Sequence, residues 1–280
     1  MRKLFAILGA LMRNPQGALG LVLFLLLLAL VVLGPVLAPA DPESFNYGAR
    51  FAAPSLEFPL GTDWYGRDLL SRVMSGARST VLLALLATGI GTVAGALIGV
   101  LSGYLGGGAD EVVMRLNDAV MAIPGLLFAL MIIAVLGSSS INAVIAIGIA
   151  QTPGMARVAR SVTLQVRALD YVSAARARGE PTSWIVLAEI LPNTIAPIIV
   201  EATIRVAFAV MTLATLSFLG LGAQPPSPEW GLMIAEARSH LFRSPWPIIV
   251  PGAAIALVAV TFNLLGDGLR DVLNPRSGGH

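Results

Sequence analysis

Residues 14–40, 79–109, 119–156 and 244–266 contain no Asp, Glu, Lys or Arg, and each run is mostly apolar. A helix needs about 20 such residues to cross a hydrocarbon core of roughly 30 Å. Lipid, not a private core, is therefore the main solvent for this surface. Charged residues make up 12% of the chain and mean hydropathy is +0.82, whereas soluble domains carry about 25% charged residues. The sequence predicts an all-α membrane protein.

Six spans are expected. The first runs from Pro15 to Ala40 behind Arg13, and it is too long for a signal peptide and lacks a convincing small-residue cleavage site. The second lies between Arg78 and Asp110. The run between Asp118 and Arg157 holds the third and fourth, separated by the turn signal Gly137-Ser138-Ser139-Ser140. The fifth starts at Leu191-Pro192-Asn193 and ends at Leu219 to Gly222, and the sixth covers Trp246 to Gly266. With the N-terminus in the cytoplasm, eleven Lys and Arg residues fall inside and six outside, Arg205 within span five completing the 18. That asymmetry orients the chain with both termini cytoplasmic.

Net charge is +2 with scattered basic residues, which fits anionic lipid headgroups and gives no nucleic-acid surface. There is no cysteine, so no disulfide or thiolate chemistry, and His240 and His280 are the two histidines. No metal site and no catalytic residue is expected from so few ligands.

Two segments are not spans. Arg157 to Leu191 is far longer than a helical hairpin requires. Its part from Ser161 to Arg178 reads as one amphipathic helix ending at Gly179, a residue suited to a left-handed cap, and Pro181 suits the first turn of a second short helix. The small residues Ala174, Ala175 and Ala177 leave a surface that another protein could approach closely; a helix lying on the membrane fits the composition equally well. On the opposite side, Pro59 to Asp68 is rich in turn residues. Leu69, Leu70, Val73, Met74 and Ala77 then recur at helical spacing opposite Arg72 and Arg78, as in an interfacial brace before span two. Inside span five, Glu201 and Arg205 stand one turn apart, where each charge alone costs at least ~2.5 kcal/mol. A structural pair, within the helix or between subunits, is the preferred expectation over contact with a transported ligand's charged ends. Asp118, Asn263 and Asp267 near span ends are expected to pack helices.

Read in order, several segments resemble the shorter permease of dipeptide and oligopeptide ABC importers. These are Leu60 to Asp68 with Ser71-Arg72 and Gly76-Ala77-Arg78, Glu229 to Ile234, Ser217 to Pro226, and Phe262 to Asp271 with Asn274-Pro275-Arg276. The cytoplasmic segment is similar to the coupling loop of import permeases, written Glu-Ala-Ala, three residues, Gly, nine residues, an apolar position and Leu-Pro. Ala174, Ala175, Gly179, Leu191 and Pro192 match it, while Ser173 replaces the glutamate and Glu189 the apolar residue.

The resemblance implies a type I ABC importer permease fold in a bacterial or archaeal cytoplasmic membrane. Residues 1–77 would be an anchor span with an outer loop, 78–270 the transporter core with its coupling loop at about 157–191, and 271–280 a tail. Ser173, Ala174, Ala175, Arg176, Arg178, Gly179, Leu191 and Pro192 would couple the chain to an ATPase. The partners implied are a homologous second permease, two ABC ATPase subunits that bind ATP and Mg, and an extracytoplasmic peptide-binding protein. This chain has no Gly-x-x-x-x-Gly-Lys-Ser/Thr loop, so ATP hydrolysis is assigned to the partners. Short peptides are the expected cargo, with nickel chelates, glutathione, opines or oligosaccharides as the alternatives within the family. A secondary transporter leaves the coupling-loop match unexplained and would show repeat symmetry or broken helices. An intramembrane protease lacks a nucleophile with its base.

Overall fold

The computed structural model describes residues 9–273; Arg2, Lys3, the Asn274-Pro275-Arg276 match and His280 lie outside them. The helices are α1 (Pro15–Leu37), α2 (Leu69–Leu105), α3 (Gly107–Met121), α4 (Gly125–Leu136), α5 (Ser140–Arg167), α6 (Asp170–Ala177), α7 (Thr182–Phe218), α8 (Trp230–Ala237) and α9 (Trp246–Leu273). No strand occurs among the described residues.

Helices α1, α2, α7 and α9 are long and apolar enough to cross a membrane by themselves. Two further crossings follow from direction. Along α2, Gly91, Gly95, Gly99 and Gly103 face Gly148, Met155, Ala156 and Thr163 of α5 in the same order. The two helices are therefore parallel, and the chain between them must return across the bundle. That return is α3 with α4, a pair bent by 89°. With α5 the crossings number six. Helix α5 carries polar residues because packed helices, not lipid, cover much of it, as its buried Ala143, Ala146, Met155, Ala156 and Ala159 show.

The third crossing differs from expectation. Helix α4 is 12 residues long, or about 18 Å, too short to cross alone. The break falls at Ala122 to Pro124, where proline has no amide hydrogen and restricts Ile123. The turn at Gly137 to Ser139 lies where the sequence placed it: Gly137 has φ +88° and the Ser139 side chain accepts from the Asn142 amide at 3.2 Å.

The brace before span two is likewise not a separate helix. Leu69 starts a single helix of 37 residues, capped by Asp68, which accepts from the Ser71 amide at 2.9 Å. The expected boundary at residue 77 therefore lies within an unbroken helix. Span five also starts early. Pro192 cannot donate to residue 188, and the helix continues through it by widening to a π-turn over Ile185–Ile190.

The anchor α1 lies against α9 and α2 through glycines. A Cβ on Gly20 would stand 2.7 Å from the Leu265 nitrogen, and one on Gly34 would stand 2.5 Å from the Met74 carbonyl oxygen. Asn14 caps α1 and donates to Asp271 at 2.8 Å. The start of α1 and the end of α9 thus share one side of the bundle with α6.

Candidate functional site

The segment between α5 and α7 is built around one short helix. The expected single helix from 161 to 178 is interrupted at Ala168-Leu169, where Leu169 is extended and precedes α6. Asp170 in the first turn and Arg176 in the last suit the dipole of α6. The helix closes with a Schellman motif: Gly179 donates to the Arg176 carbonyl at 2.9 Å and Glu180 to the Ala175 carbonyl at 3.2 Å. Gly179 has φ +77° and nothing within 4 Å of where a Cβ would be.

Val172 and Ala175 turn inward, three residues apart, and pack with Val166, Ile185, Val186 and Ile190. Ala175 is 0% exposed. It therefore packs α6 onto its own chain and presents nothing to a partner. The outward surface consists of Ser173, Ala174, Arg176, Ala177, Arg178 and Gly179. Arg176 stacks over Tyr104 at 4.9 Å, and Arg178 lies 3.6 Å from Glu180. Leu191 is half-buried and Pro192 exposed, so the eight expected coupling residues divide between an exposed face and its internal support.

Inside the bundle, Glu201 and Arg205 form the expected intrahelical pair, 2.8 Å apart. Arg205 also reaches the Gln151 carbonyl of α5 at 3.4 Å. Asp118 pairs with Arg157 at 2.7 Å, joining α3 to α5. The bidentate contact of Arg160 with Asp110, at 2.7 and 2.6 Å, was not anticipated. Its signal is present as acidic residues spaced along α3 opposite Arg157 and Arg160.

On the far side, the two signature segments at residues 60–68 and 229–234 come together. Arg67 bonds Asp63 at 2.5 Å and Glu236 at 2.7 Å, and Arg72 lies 3.4 Å from Glu236. Arg72 is 1% exposed. It was expected on the polar side of an interfacial helix, but the outer loop folds over it and the Pro42 carbonyl accepts from it at 3.2 Å. The buried Trp230 indole donates to the Val73 carbonyl at 3.1 Å. Glu229 caps α8 by accepting from the Gly231 and Leu232 amides at 3.0 and 2.9 Å. Burial pushes the Glu229 carboxyl up, and these backbone bonds pull against that shift. The outer loop, α2 and α8 are thereby joined by buried charge.

Residues 95–278 match the binding-protein-dependent transport system inner membrane component family, and residues 6–54 match the N-terminal TM domain of oligopeptide transport permease C. The chain belongs to the first of these families. As such a component it is a multi-pass inner-membrane permease, a non-catalytic subunit of an ABC importer. It is 42% identical to a probable D,D-dipeptide transport system permease protein, DdpC, of Escherichia coli, over 95% of this chain and 89% of that one. It is also 42% identical to the di/tripeptide transport system permease DppC of Pseudomonas aeruginosa, over 93% and 88%. A glutathione transport system permease, GsiD, of Pectobacterium atrosepticum is 41% identical over 90% and 84%. Among solved structures, the inward-facing MetNI methionine ABC transporter aligns with TM-score 0.59 at 18% identity, over 72% of this chain and 96% of that one. That likeness fixes the fold as the type I permease, and α1 falls in the separately matched N-terminal TM domain. Binding-protein and ATPase partners follow from family membership.

Proposed function

We propose that this permease forms half of a translocation pathway for short peptides, the other half being a homologous second permease. Of two ATPase subunits carrying ATP and Mg, one would dock on the outward face of α6 and the other on the second permease, and an extracytoplasmic peptide-binding protein would deliver cargo to the opposite side. The carrying observation is the identity of about two residues in five, over nearly the full length, to permeases named for di- and tripeptides. The α6 surface supports the coupling role, because Ala174 and Ala177 keep it low while Arg176 and Arg178 flank it. Both termini are assigned to the cytoplasm of a bacterium or archaeon, on the Lys and Arg asymmetry. Residues up to the start of α2 form the anchor and outer loop, and α2 to α9 the core.

The test is uptake by the reconstituted complex, with its operon-encoded binding protein, of radiolabelled Ala-Leu against glutathione, a nickel chelate, an opine and an oligosaccharide. ATP-dependent accumulation of the peptide is expected. Accumulation of one of the other cargoes in its place would refute the peptide assignment.

A further inference from the structure

A groove of about 360 Å³ opens between the inner ends of α5, α7 and α9. Its wall combines one carboxylate, Glu201, and one guanidinium, Arg270, with Val158, Val162, Val200 and Leu273. Glu201 pairs with Arg205 at 2.8 Å and its side chain remains 24% exposed, so a ligand can still reach it. Among the described residues no carboxylate lies within ion-pair distance of Arg270. Two opposite charges on different helices thus border one space lined by valines and by Gln165. An ionisable residue at membrane depth is retained where it faces a cavity and meets a partner.

We propose that this groove is an inner-side subsite for a zwitterionic short peptide, with Glu201 receiving the free ammonium, Arg270 the free carboxylate, and the valines the side chains between. The proposal rests on the peptide reading above and deepens it. A ligand with both charges matches the wall at both ends, whereas a lipid acyl chain leaves the carboxylate and the guanidinium unanswered. Removing either terminal charge from the ligand leaves Glu201, half-buried, or Arg270, at the exposed mouth of the groove, without its counter-charge, which weakens binding. A peptide arriving from outside occupies this subsite last, so the same peptide supplied from the inner side competes there without the binding protein.

The experiment uses the complete transporter in proteoliposomes. Ala-Leu, N-acetyl-Ala-Leu or Ala-Leu-amide is trapped on the ATPase side, and inhibition of Ala-Leu uptake is read. For the wild type, each blocked peptide should inhibit at least tenfold more weakly than Ala-Leu. Glu201→Gln should erase the preference for a free ammonium and keep that for a free carboxylate; Arg270→Gln should do the reverse. Arg270 lies at the end of α9, so its variant remains informative if Glu201→Gln folds poorly. Retention of both preferences by Arg270→Gln, or equal loss of both, overturns the subsite. Wild-type uptake of Ala-Leu in that outcome leaves the peptide assignment standing, while failure of wild-type uptake overturns both.

Discussion

Replacing Gly95 with alanine tests whether the glycine stripe sets the distance between α2 and α5. The new Cβ would stand 2.6 Å from both the Met155 Cβ and the Thr152 carbonyl oxygen, and 2.9 Å from the Ala156 nitrogen. Comfortable carbon contacts begin at about 3.5 Å, so the helices must separate locally by about 1 Å. Two of the three obstacles are backbone and the third is a Cβ, so no side chain can swing away. Overpacking of this kind costs about 1–3 kcal/mol. Alanine also has a helix propensity better than glycine by about 1 kcal/mol, which partly hides the steric cost. Gly89, on the same helix, has nothing within 4 Å of its would-be Cβ, so Gly89→Ala carries the propensity gain alone. The difference between the two variants isolates the steric term, and Gly89→Ala should be the more stable by about 1–3 kcal/mol. The assay is unfolding of the detergent-solubilised complex, followed by tryptophan fluorescence, with both variants at equal lipid content. Equal stability, or greater stability of Gly95→Ala, would refute close packing as the role of the stripe.

Gly179→Leu forces a branched side chain to φ +77°, which costs about 1 kcal/mol or more locally; membrane insertion should be normal and transport lost, and wild-type uptake at equal expression would contradict the coupling role. Ala175→Trp should instead lift α6 from its own chain, because Ala175 is fully buried, and should make the Arg178 peptide bond protease-sensitive in the purified complex. Glu236→Ala leaves Arg67 and Arg72 with Asp63 alone between them and should destabilise the outer end by about 3–5 kcal/mol, measured as the fall in unfolding midpoint against the wild type. The raised Glu229 carboxyl means the folded protein holds a proton that the unfolded chain has released. Between the usual glutamate value and the raised one, this group makes stability fall as pH rises. Glu229→Gln should flatten that part of the pH profile, and an unchanged profile would assign the slope elsewhere.

Crossing number, turn positions and the cap at Gly179 were legible because each depends on local chemistry. Uninterrupted apolar length demands lipid, Gly137 and Gly179 permit positive φ, and Glu201 and Arg205 at i and i+4 must meet on any helix. Helix continuity was less legible. Leu69 to Ala77 has the pattern of an interfacial helix and also of the first turns of a long one, and nothing local distinguishes them. Pro192 signals a helix start, but a π-turn absorbs its missing hydrogen bond. The division of residues 161–178 into two helices is invisible because neither Gly nor Pro marks Ala168-Leu169.

Burial of charge depends on partners distant in sequence, and that explains the misreading of the outer loop. A helical wheel places Arg72 opposite Leu70, Met74 and Ala77, so amphipathic reasoning exposes it. In the fold, Asp63 and Arg67 arrive from the preceding loop and Glu236 from α8, and together they cover it. The compensating information was already in the sequence: residues 60–68 hold three charged residues and a tryptophan, and residues 229–236 hold two and one, in a chain with 12% charged residues. Residues costly to bury, concentrated in two short segments of an apolar protein, imply that the segments answer each other. The same reasoning applies to Asp110 and Asp118 facing Arg160 and Arg157 on opposite walls. In a membrane bundle an unexplained charge is therefore best read as half of a contact, with its partner sought on a different helix.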